Sequence, residues 1–333
     1  MNPAPWRIVG QGLAGTCLAW HLWDLNVPFT ITDRAHGGSS RVAAGLINPI
    51  TGKNFEPSWR IADFLPEAIS FYQKIETQLD KTFWHPHPIL RLAATPAEWE
   101  KIQSKRHLPH ATPWIDRDHP IPPDSNAHAA ILLRGGGRLD TLAFLHASRD
   151  FFQHHKIYQI GEIHPHDPDP RIIRCQGATG LLENQLGPHR CAKGEILTIR
   201  HPLLDPAHIR IGHGGWIIPI GNQTFKAGST YDWNNLDETP TPQGAQKVLE
   251  ILQKHGIRNP EILHHQAGIR PILRRSEPLV GPHPNGGWTF NALGSKGSLY
   301  APGVARQLTT WLLQNQEPDP DLNLTRFLSH HAR

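Results

Sequence analysis

The chain has little cysteine, and its three cysteines stand far apart at positions 17, 175 and 191. An odd and scattered set predicts neither a disulfide framework nor a zinc site, and it favours a reducing, cytoplasmic location. The chain also has no long apolar run, so we expect no membrane span. Because the first apolar stretch begins at about Trp6, we expect no signal peptide.

A strong excess of charge is also absent, since 33 Lys and Arg stand against 29 Asp and Glu. The basic residues form no long run, so the charge permits an acidic partner such as RNA without indicating one. The 23 His residues often lie beside proline or one another, and no H-E-x-x-H or comparable ligand spacing occurs. We therefore expect loop and surface histidines and no metal site.

A glycine pattern near the start is the most informative feature that is present. Residues 10–15 have the G-x-G-x-x-G spacing of a dinucleotide-binding turn, and a short apolar strand precedes them. The first glycine permits a tight turn, the second lets the backbone approach a pyrophosphate, and the third permits close packing of helix on strand. A predicted helix over 16–25 would direct its N-terminal N–H groups at the phosphates.

An acidic residue follows at the distance typical of a βαβ unit. A second predicted strand over 29–32 ends on Asp33, eighteen residues after Gly15, where a carboxylate would accept hydrogen bonds from ribose hydroxyls. An acid at this position disfavours NADP, because it would repel the 2′-phosphate. It leaves NAD and FAD both open.

Later segments predict two interleaved domains and an α/β (α+β) fold class. Residues 1–80, 135–195 and 268–333 are assigned to a Rossmann-like nucleotide-binding domain of discontinuous segments. Residues 81–134 and 196–267 are assigned to an inserted, mostly antiparallel β-sheet substrate domain. We predict helices over 61–79 and 243–255 and a final helix over 301–314. The Pro-, His- and Trp-rich segment 85–124 is predicted to be sheet and loop.

Five motifs occur in order along the chain: the glycine turn with Asp33, 39–49, 174–180 with 193–199, 215–233, and 267–281 with 291–308. Together they resemble the D-amino-acid-oxidase-like family of FAD-dependent oxidoreductases, which includes glycine oxidase and sarcosine oxidase. The last motif is similar to the FAD half of the bifunctional enzymes that modify the wobble uridine of tRNA. The resemblance implies FAD rather than NAD, and it implies non-covalent FAD because no cysteine matches the family's attachment position.

The same resemblance implies a set of cofactor-binding residues. Backbone N–H groups of 294–299, ahead of the final predicted helix, would stabilise the negative charge of reduced flavin, and Lys296 would add a positive charge. A solvent-facing lysine on a helix-capping turn is the alternative reading of Lys296. The full set is Gly10, Gly12, Leu13, Ala14, Gly15, Asp33, Arg34, Ser40, Arg41, Ala44, Gly45, Gly177, Gly294, Ser295, Lys296, Gly297, Ser298 and Leu299.

Three residues are candidates for catalysis by the same resemblance. Arg270, in the motif AGIRP, matches the Arg that binds a substrate carboxylate, and a guanidinium fork suits that task. An Arg pairing with an acid between domains is the alternative. Trp216 stands where several relatives place a pocket Tyr, so it keeps an apolar wall and narrows the space. Lys226 stands where sarcosine oxidase has its oxygen-activating base, although an exposed strand Lys is an equal alternative.

These residues predict an FAD-dependent oxidoreductase that acts on a primary or secondary amine of a glycine-like or N-substituted amino acid. In that reaction hydride passes to flavin and the resulting imine hydrolyses. One alternative is removal of a carboxymethyl group from a modified wobble uridine of tRNA, a substrate that is also a glycine-like secondary amine. A flavoprotein without catalytic activity is the other. The oxidant and the oligomeric state are left open.

Overall fold

The computed structural model describes residues 4–164, 167–183, 186–273 and 277–331. Its helices are α1 Leu13–Asp24, α2 Ser39–Val42, α3 Ile61–Leu79, α4 Pro96–Lys105, α5 Thr141–His154, α6 Ala178–Leu182, α7 Pro242–Lys254, α8 Gly297–Gln314 and α9 Leu324–His331. Its strands are β1 Trp6–Val9, β2 Phe29–Asp33, β3 Leu46–Ile47, β4 Ile50–Thr51, β5 Glu56–Pro57, β6 Trp84–Pro86, β7 Ile89–Ala93, β8 Ile115–His119, β9 Ala129–Leu133, β10 Gly137–Leu139, β11 Tyr158–Ile160, β12 Ile172–Arg174, β13 Ala192–Arg200, β14 Ile209–Gly212, β15 Gly215–Gly221, β16 Thr224–Gly228, β17 Glu261–Arg270, β18 Leu279–Pro282 and β19 Trp288–Asn291.

A six-stranded sheet carries the predicted nucleotide-binding unit. Its strand order is β11-β2-β1-β12-β19-β18, and all neighbours are parallel except β18 and β19. Parallel strands need crossover connections, and α1 supplies the one between β1 and β2. The buried side chains of α1, α3, α5 and α8 join the sheet in one hydrophobic core. The sheet is therefore built from separate segments of the chain, because β12 and β19 lie far along the sequence from β1 and β2.

An eight-stranded sheet forms the second layer. Its order is β17-β13-β16-β15-β14-β7-β9-β8, and every pair is antiparallel except β14 and β7. This confirms the mixed α/β fold and a mostly antiparallel second sheet. Strands β13 and β17 cross the boundaries predicted at 195 and 268, so the division of the chain into two domains stays a prediction. A three-stranded sheet of β3, β10 and β6 lies beside it.

The structure corrects the predicted ends of several elements. Helix α1 begins at Leu13 rather than at position 16, because Gly12 already serves as its N-cap. Helix α8 begins at Gly297, so residues 297–299 lie inside it rather than ahead of it, and α9 follows it. The helix predicted over 61–79 is confirmed to the residue.

Helix α4 was not predicted, because segment 85–124 was assigned to sheet and loop. The signal was present in the sequence: Thr95 is followed by Pro96 and, three residues on, by Glu98. The Thr95 hydroxyl accepts from the amide of Glu98 at 3.2 Å, and the Glu98 carboxylate accepts from the amide of Ala94 at 2.8 Å. Of the helices in the described ranges, none has the length and apolar character that crossing a membrane requires.

Candidate functional site

A single elongated cavity of about 940 Å³ runs between the two large sheets. One end is formed by the carboxyl ends of β1 and β2 and by the start of α1. The other end is formed by the start of α8 and by one face of the eight-stranded sheet. Ligands of α/β sheets bind outside the carboxyl ends of the strands, so the position suits a nucleotide. The cavity is long enough to reach from there to the second sheet.

The glycine turn has the geometry that the sequence predicted. Gly10 has φ of 99°, and a Cβ there would lie 2.6 Å from the carbonyl oxygen of Cys175. A Cβ on Gly15 would lie 1.9 Å from the carbonyl oxygen of Gly10, which explains the third glycine by helix–strand packing. No side chain caps α1 at Gly12, and the first turn holds no acid. The amides of this turn therefore suit a diphosphate.

Asp33 lies at the end of β2, buried and lining the cavity. Its Oδ2 accepts from the amide of Gln11 at 2.8 Å, and its Oδ1 accepts from the amide of Ala35 at 2.8 Å and from Nη2 of Arg41 at 2.7 Å. Burial alone would raise the pKa of Asp33, but the Gln11 amide and Arg41 hold it below its ordinary value. Oδ2 keeps one lone pair, so a ribose hydroxyl can still donate to it.

The middle of the cavity is lined by backbone. Gly45 has φ of 70°, and a Cβ there would lie 1.8 Å from the carbonyl oxygen of Leu139. Gly177 has φ of 58°, with no atom within 4 Å of where its Cβ would stand, so it faces open space. No side chain caps α8 at Lys296. Together with the glycine turn and Asp33, these features fit the ribityl and ring portions of FAD as well as its phosphates.

Lys296 lies at the far end of the cavity. Its Nζ donates to the hydroxyl of Thr51 at 3.4 Å, and its side chain is half-buried. Burial lowers the pKa of Lys296, and the negative charge of Glu277 opposes that shift. Its ammonium therefore points into the cavity wall near β4 rather than into solvent, although its role toward a flavin stays a prediction.

Arg270 lies at the end of β17 with its guanidinium in the cavity. Nη2 donates to the hydroxyl of Ser229 at 2.6 Å and to the carbonyl of Thr230 at 3.1 Å, and Nη1 donates to the carbonyl of Lys193 at 3.4 Å. The ring of Tyr231 lies 4.0 Å from its central carbon. No carboxylate among the described residues forms an ion pair with it, and the N–H of Nε and one N–H of Nη1 remain for a ligand.

Trp216 and Lys226 have different positions relative to the cavity. Trp216 lines it, on β15 between Ile211 of β14 and Gly228 of β16. Lys226 does not line it in the part of the chain that the structure describes. Its Nζ donates to the carbonyls of Val42 at 3.2 Å and Ala43 at 3.1 Å, and burial lowers its pKa. Lys226 is opposite Ile218 and so lies on the same face of the sheet as Trp216, where it binds the backbone of two residues that line the cavity.

The predicted cofactor-binding residues lie almost entirely in the lining of the cavity. Every predicted cofactor residue lines the cavity except Gly15, which packs α1 on β1. Cys175 also lines it, and burial raises the pKa of its thiol strongly. Within 4–164, 167–183, 186–273 and 277–331, no group of three His, Cys, Asp or Glu side chains is placed to hold a metal ion.

Arg91 and Tyr231 are among the cavity residues that the sequence reasoning did not identify. Arg91 stands inside the apolar run of β7, and a lone cation in a buried strand was the available signal. Tyr231 lines the cavity, and its ring stacks on Trp233 with centroids 5.7 Å apart. Both rings are exposed, at 47% and 56%. No spacing rule identifies this pair, because it lies in a loop.

Comparison with known proteins agrees with this geometry. A family model described as FAD dependent oxidoreductase matches residues 6–311. The chain is 24% identical to the tRNA 5-methylaminomethyl-2-thiouridine biosynthesis bifunctional protein of Marinobacter nauticus, over 93% of this chain but only 56% of that protein. Glycine oxidase from Geobacillus kaustophilus has a TM-score of 0.78 at 18% identity, covering 96% of this chain and 98% of that one. Iminodiacetate oxidase from Chelativorans sp. has a TM-score of 0.75 at 20% identity, covering 94% and 95%. These two structural likenesses concern the fold alone.

Proposed function

The chain belongs to the FAD dependent oxidoreductase family, and on that premise we propose that it oxidises the amine of a glycine-like or N-substituted amino acid. Bound FAD would supply the acceptor for the hydride that leaves the carbon bearing the amine. The chain's residues would hold the substrate and exclude water, and the imine would then be hydrolysed. The observation that carries the proposal is the guanidinium of Arg270, which faces the cavity without a carboxylate partner among the described residues.

Arg270 would bind the substrate carboxylate. Its hydrogen bonds to Ser229 and Thr230 and the ring of Tyr231 fix the guanidinium in one position, so little side-chain freedom is lost on binding. A carboxylate fixed at one end leaves the amine-bearing carbon only a small range of positions. Such orientation supplies part of the rate that an enzyme gains over the free reactants.

Trp216 and the start of α8 would complete the site. The indole of Trp216 forms an apolar wall beside the substrate and limits its size. The uncapped amides at the start of α8, with Lys296 as its N-cap residue, would stabilise negative charge on the cofactor. Asp33 would accept from a ribose hydroxyl at the other end of the cavity.

We also propose that FAD is held without a covalent bond. A cysteine attaches to flavin as its thiolate, and burial raises the pKa of Cys17, Cys175 and Cys191. The thiol is therefore the stable form at each of these positions. Acid precipitation of the yellow protein should leave the flavin in the supernatant. Flavin in the pellet would contradict non-covalent binding.

Anaerobic titration with a panel of amines tests the proposed reaction. The purified protein, loaded with FAD, is mixed with glycine, sarcosine, N-ethylglycine and the matching amines without a carboxylate. We expect an amino acid to bleach the flavin absorbance and its decarboxylated analogue to fail, because Arg270 then has no partner. If none of the amines reduces the flavin, the proposed function is wrong.

A second candidate is the modification of a carboxymethylaminomethyl group on a tRNA wobble uridine. The observation that favours it is the exposed, stacked pair of Tyr231 and Trp233 at the edge of the cavity, beside Arg270. Exposed aromatic rings stack on unpaired bases, and Arg270 would bind the carboxymethyl group. The sequence similarity to the tRNA-modifying bifunctional protein supports the same candidate.

Binding of an anticodon stem-loop RNA separates the two candidates. If RNA is the substrate, binding should weaken steeply with salt, and Trp233→Ala should weaken it by about 1–3 kcal/mol, the usual contribution of one stacked base. Reduction of flavin by free sarcosine should be the same in Trp233→Ala as in the unaltered protein. If Trp233→Ala and the unaltered protein bind RNA equally, the aromatic pair is not a base-stacking platform.

A further inference from the structure

A second cation, Arg91, lies in the cavity opposite Arg270, and the proposed reaction does not use it. We propose that Arg91 binds a second carboxylate of the substrate, so that the enzyme acts on amines that carry two carboxylates. This inference rests on the proposed function, because it names the substrate class of that same site. It follows from the position of Arg91, from its lack of a partner and from its separation from Arg270.

The position of Arg91 follows from the register of the eight-stranded sheet. Arg91 of β7 is opposite Ile211 of β14, and Ile211 is opposite Trp216 of β15. Residues directly opposite one another present their side chains on the same face of a sheet. All three line the cavity, so Arg91 extends the wall that Trp216 begins.

Arg91 has no carboxylate partner among the described residues. Its Nη2 donates at 3.3 Å to the carbonyl of Gly52, and its Nε is buried without a hydrogen-bond partner. Two buried arginines of the described chain differ from Arg91: Arg210 pairs with Asp124 at 2.8 Å and Arg138 with Asp140 at 3.1 Å. A buried charge is costly unless it is paired, so the lone guanidinium points to an anion that arrives with a ligand.

Another cation, Lys296, lies close to Arg91 in the cavity wall. Gly52, which accepts from Arg91, follows Thr51, which accepts from Nζ of Lys296. Burial lowers the pKa of Arg91, and the negative charge of Glu98 opposes that shift. Two cations therefore flank one short turn, and the carboxylates that line the cavity, such as Asp33 and Glu238, form no ion pair with either of them.

The guanidinium of Arg270 and the side chain of Arg91 reach the cavity from strands that are well separated in the sheet. The guanidinium of Arg270 covers Gly194 of β13, since a Cβ there would lie 2.1 Å from Nη2. Four strand spacings separate β13 from β7, which is about 19 Å along a flat sheet at roughly 4.8 Å per strand. The arrangement thus suits an amine between two acidic arms, with Trp216 beside it.

Binding of redox-inert acids tests the proposal without any turnover. Acetate, malonate, succinate and glutarate are titrated into the FAD-loaded protein, and binding is followed by the change in flavin absorbance and by calorimetry. We expect at least one dicarboxylate to bind ten times more tightly than acetate or better. In Arg91→Gln, we expect the ratio of dicarboxylate to acetate affinity to fall at least tenfold. Arg258→Gln, an exposed arginine on the loop after α7, is the matched control and should keep the ratio.

Three outcomes would overturn the proposal. Dicarboxylates that bind no better than acetate would exclude a second anion site, and this comparison needs only the unaltered protein. An unchanged ratio of dicarboxylate to acetate affinity in Arg91→Gln would show that Arg91 lines the cavity without binding the second carboxylate. An equal loss of the ratio in Arg258→Gln would make the effect one of overall charge.

The substrate panel separates a failure of this inference from a failure of the proposed function. Iminodiacetate and sarcosine differ by one carboxylate and are compared as flavin reductants under anaerobic conditions. If sarcosine reduces the flavin and iminodiacetate reduces it no faster at equal concentration, the function stands and the inference falls. If neither those two nor any other amine of the panel reduces the flavin, the proposed function itself is wrong.

Discussion

At the nucleotide end of the cavity Asp33 is neutralised by Arg41 and by two backbone amides, whereas at the far end Arg91 and Arg270 have no carboxylate partner among the described residues. The nucleotide end comes from residues close in sequence, and its buried carboxylate, Asp33, forms an ion pair with Arg41. The far end comes from strands distant in sequence, and its two arginines form no ion pair with a carboxylate of the described residues. The difference supports the proposal that the first end binds the cofactor and that the second binds the substrate.

The largest expected effect concerns Arg270. In Arg270→Ala, flavin reduction by a carboxylate-bearing amine should slow by about 30- to 5,000-fold, because loss of a charged contact in a closed cavity costs about 2–5 kcal/mol. Arg270→Lys should restore little, since an ammonium cannot reproduce the planar guanidinium. The measurement is single-turnover, anaerobic flavin reduction, with Arg258→Ala as the control. Equal rates in Arg270→Ala and the parent would make Arg270 structural and would remove the amino-acid assignment.

The second effect compares how the two sheets respond to acid. His255 is fully buried under the eight-stranded sheet, where Nε2 lies 3.0 Å from the carbonyl oxygen of Gly212, and burial lowers its pKa to about 3. The folded protein keeps this ring neutral while the unfolded chain protonates it below about pH 6.5. Stability should therefore fall on acidification from about pH 6.5 toward pH 3, by up to about 1.4 kcal/mol per pH unit.

Urea unfolding at a series of pH values measures this effect. His255→Gln removes the titrating group. The free energy of unfolding should therefore fall less steeply between pH 6.5 and pH 3 than in the unaltered protein, even if stability at pH 7 is lower. An acid slope that is unchanged in His255→Gln would show that other groups cause it. Asp33 has a lowered pKa, so its contribution is present above the ordinary Asp pKa and is lost only as the pH falls through the folded value. The nucleotide end should therefore weaken at lower pH than the second sheet.

A smaller effect is expected from Asp33→Ala on the cofactor. Loss of a buried hydrogen bond between the carboxylate and ribose should cost about 1–3 kcal/mol, or roughly ten- to hundredfold in FAD affinity. Fluorescence titration of the flavin-free protein measures this, and Asp33→Asn should retain part of the affinity. Because Asp33 also pairs with Arg41, thermal unfolding of each variant separates cofactor loss from destabilisation. Unchanged affinity for FAD would place Asp33 outside the cofactor site.

The smallest effect concerns Lys226. Its Nζ is bonded to the carbonyls of Val42 and Ala43, so it acts on the cavity through the wall. We expect Lys226→Met to change the rate at which oxygen reoxidises reduced flavin by less than threefold. Stopped-flow mixing of the reduced protein with oxygenated buffer gives that rate. A loss of tenfold or more would contradict the wall position and would support the oxygen-activating role implied by the resemblance.

Prediction from sequence succeeded where an element is local. The glycine turn and the helix over 61–79 were predicted, because backbone spacing and the 3.6-residue period act over short distances. Helix α4 was missed although Thr95 and Glu98 formed a start signal, because proline and histidine around it outweighed that signal. The start of α8 was placed late, because Gly297 and Pro302 resemble helix breakers. Pro302 nevertheless lies inside the helix, and the hydroxyl of Tyr72 donates to the carbonyl of Ser298, which the proline leaves without its usual backbone donor.

The substrate end depended on tertiary structure. The sequence identified Arg270 and Trp216 through a resemblance, and it gave no reason to connect either with Arg91. Arg91 and Arg270 are 179 positions apart and meet one cavity only through the strand order of the eight-stranded sheet. Ion-pair partners are likewise non-local, so whether a given arginine has a carboxylate beside it cannot be read from its neighbours in sequence.

The sequence by itself therefore determined the nucleotide unit, from the six-residue glycine turn through α1 to Asp33, because each part is defined by its near neighbours and by backbone geometry. Only the tertiary structure decided that Lys226 binds the carbonyl of Ala43, that Arg91 enters the cavity and that Tyr231 covers Arg270. The physical reason is that burial and charge balance depend on which distant strands become neighbours, and a one-residue change of register would turn the side chains of Lys226 and Arg91 to the opposite face of the sheet.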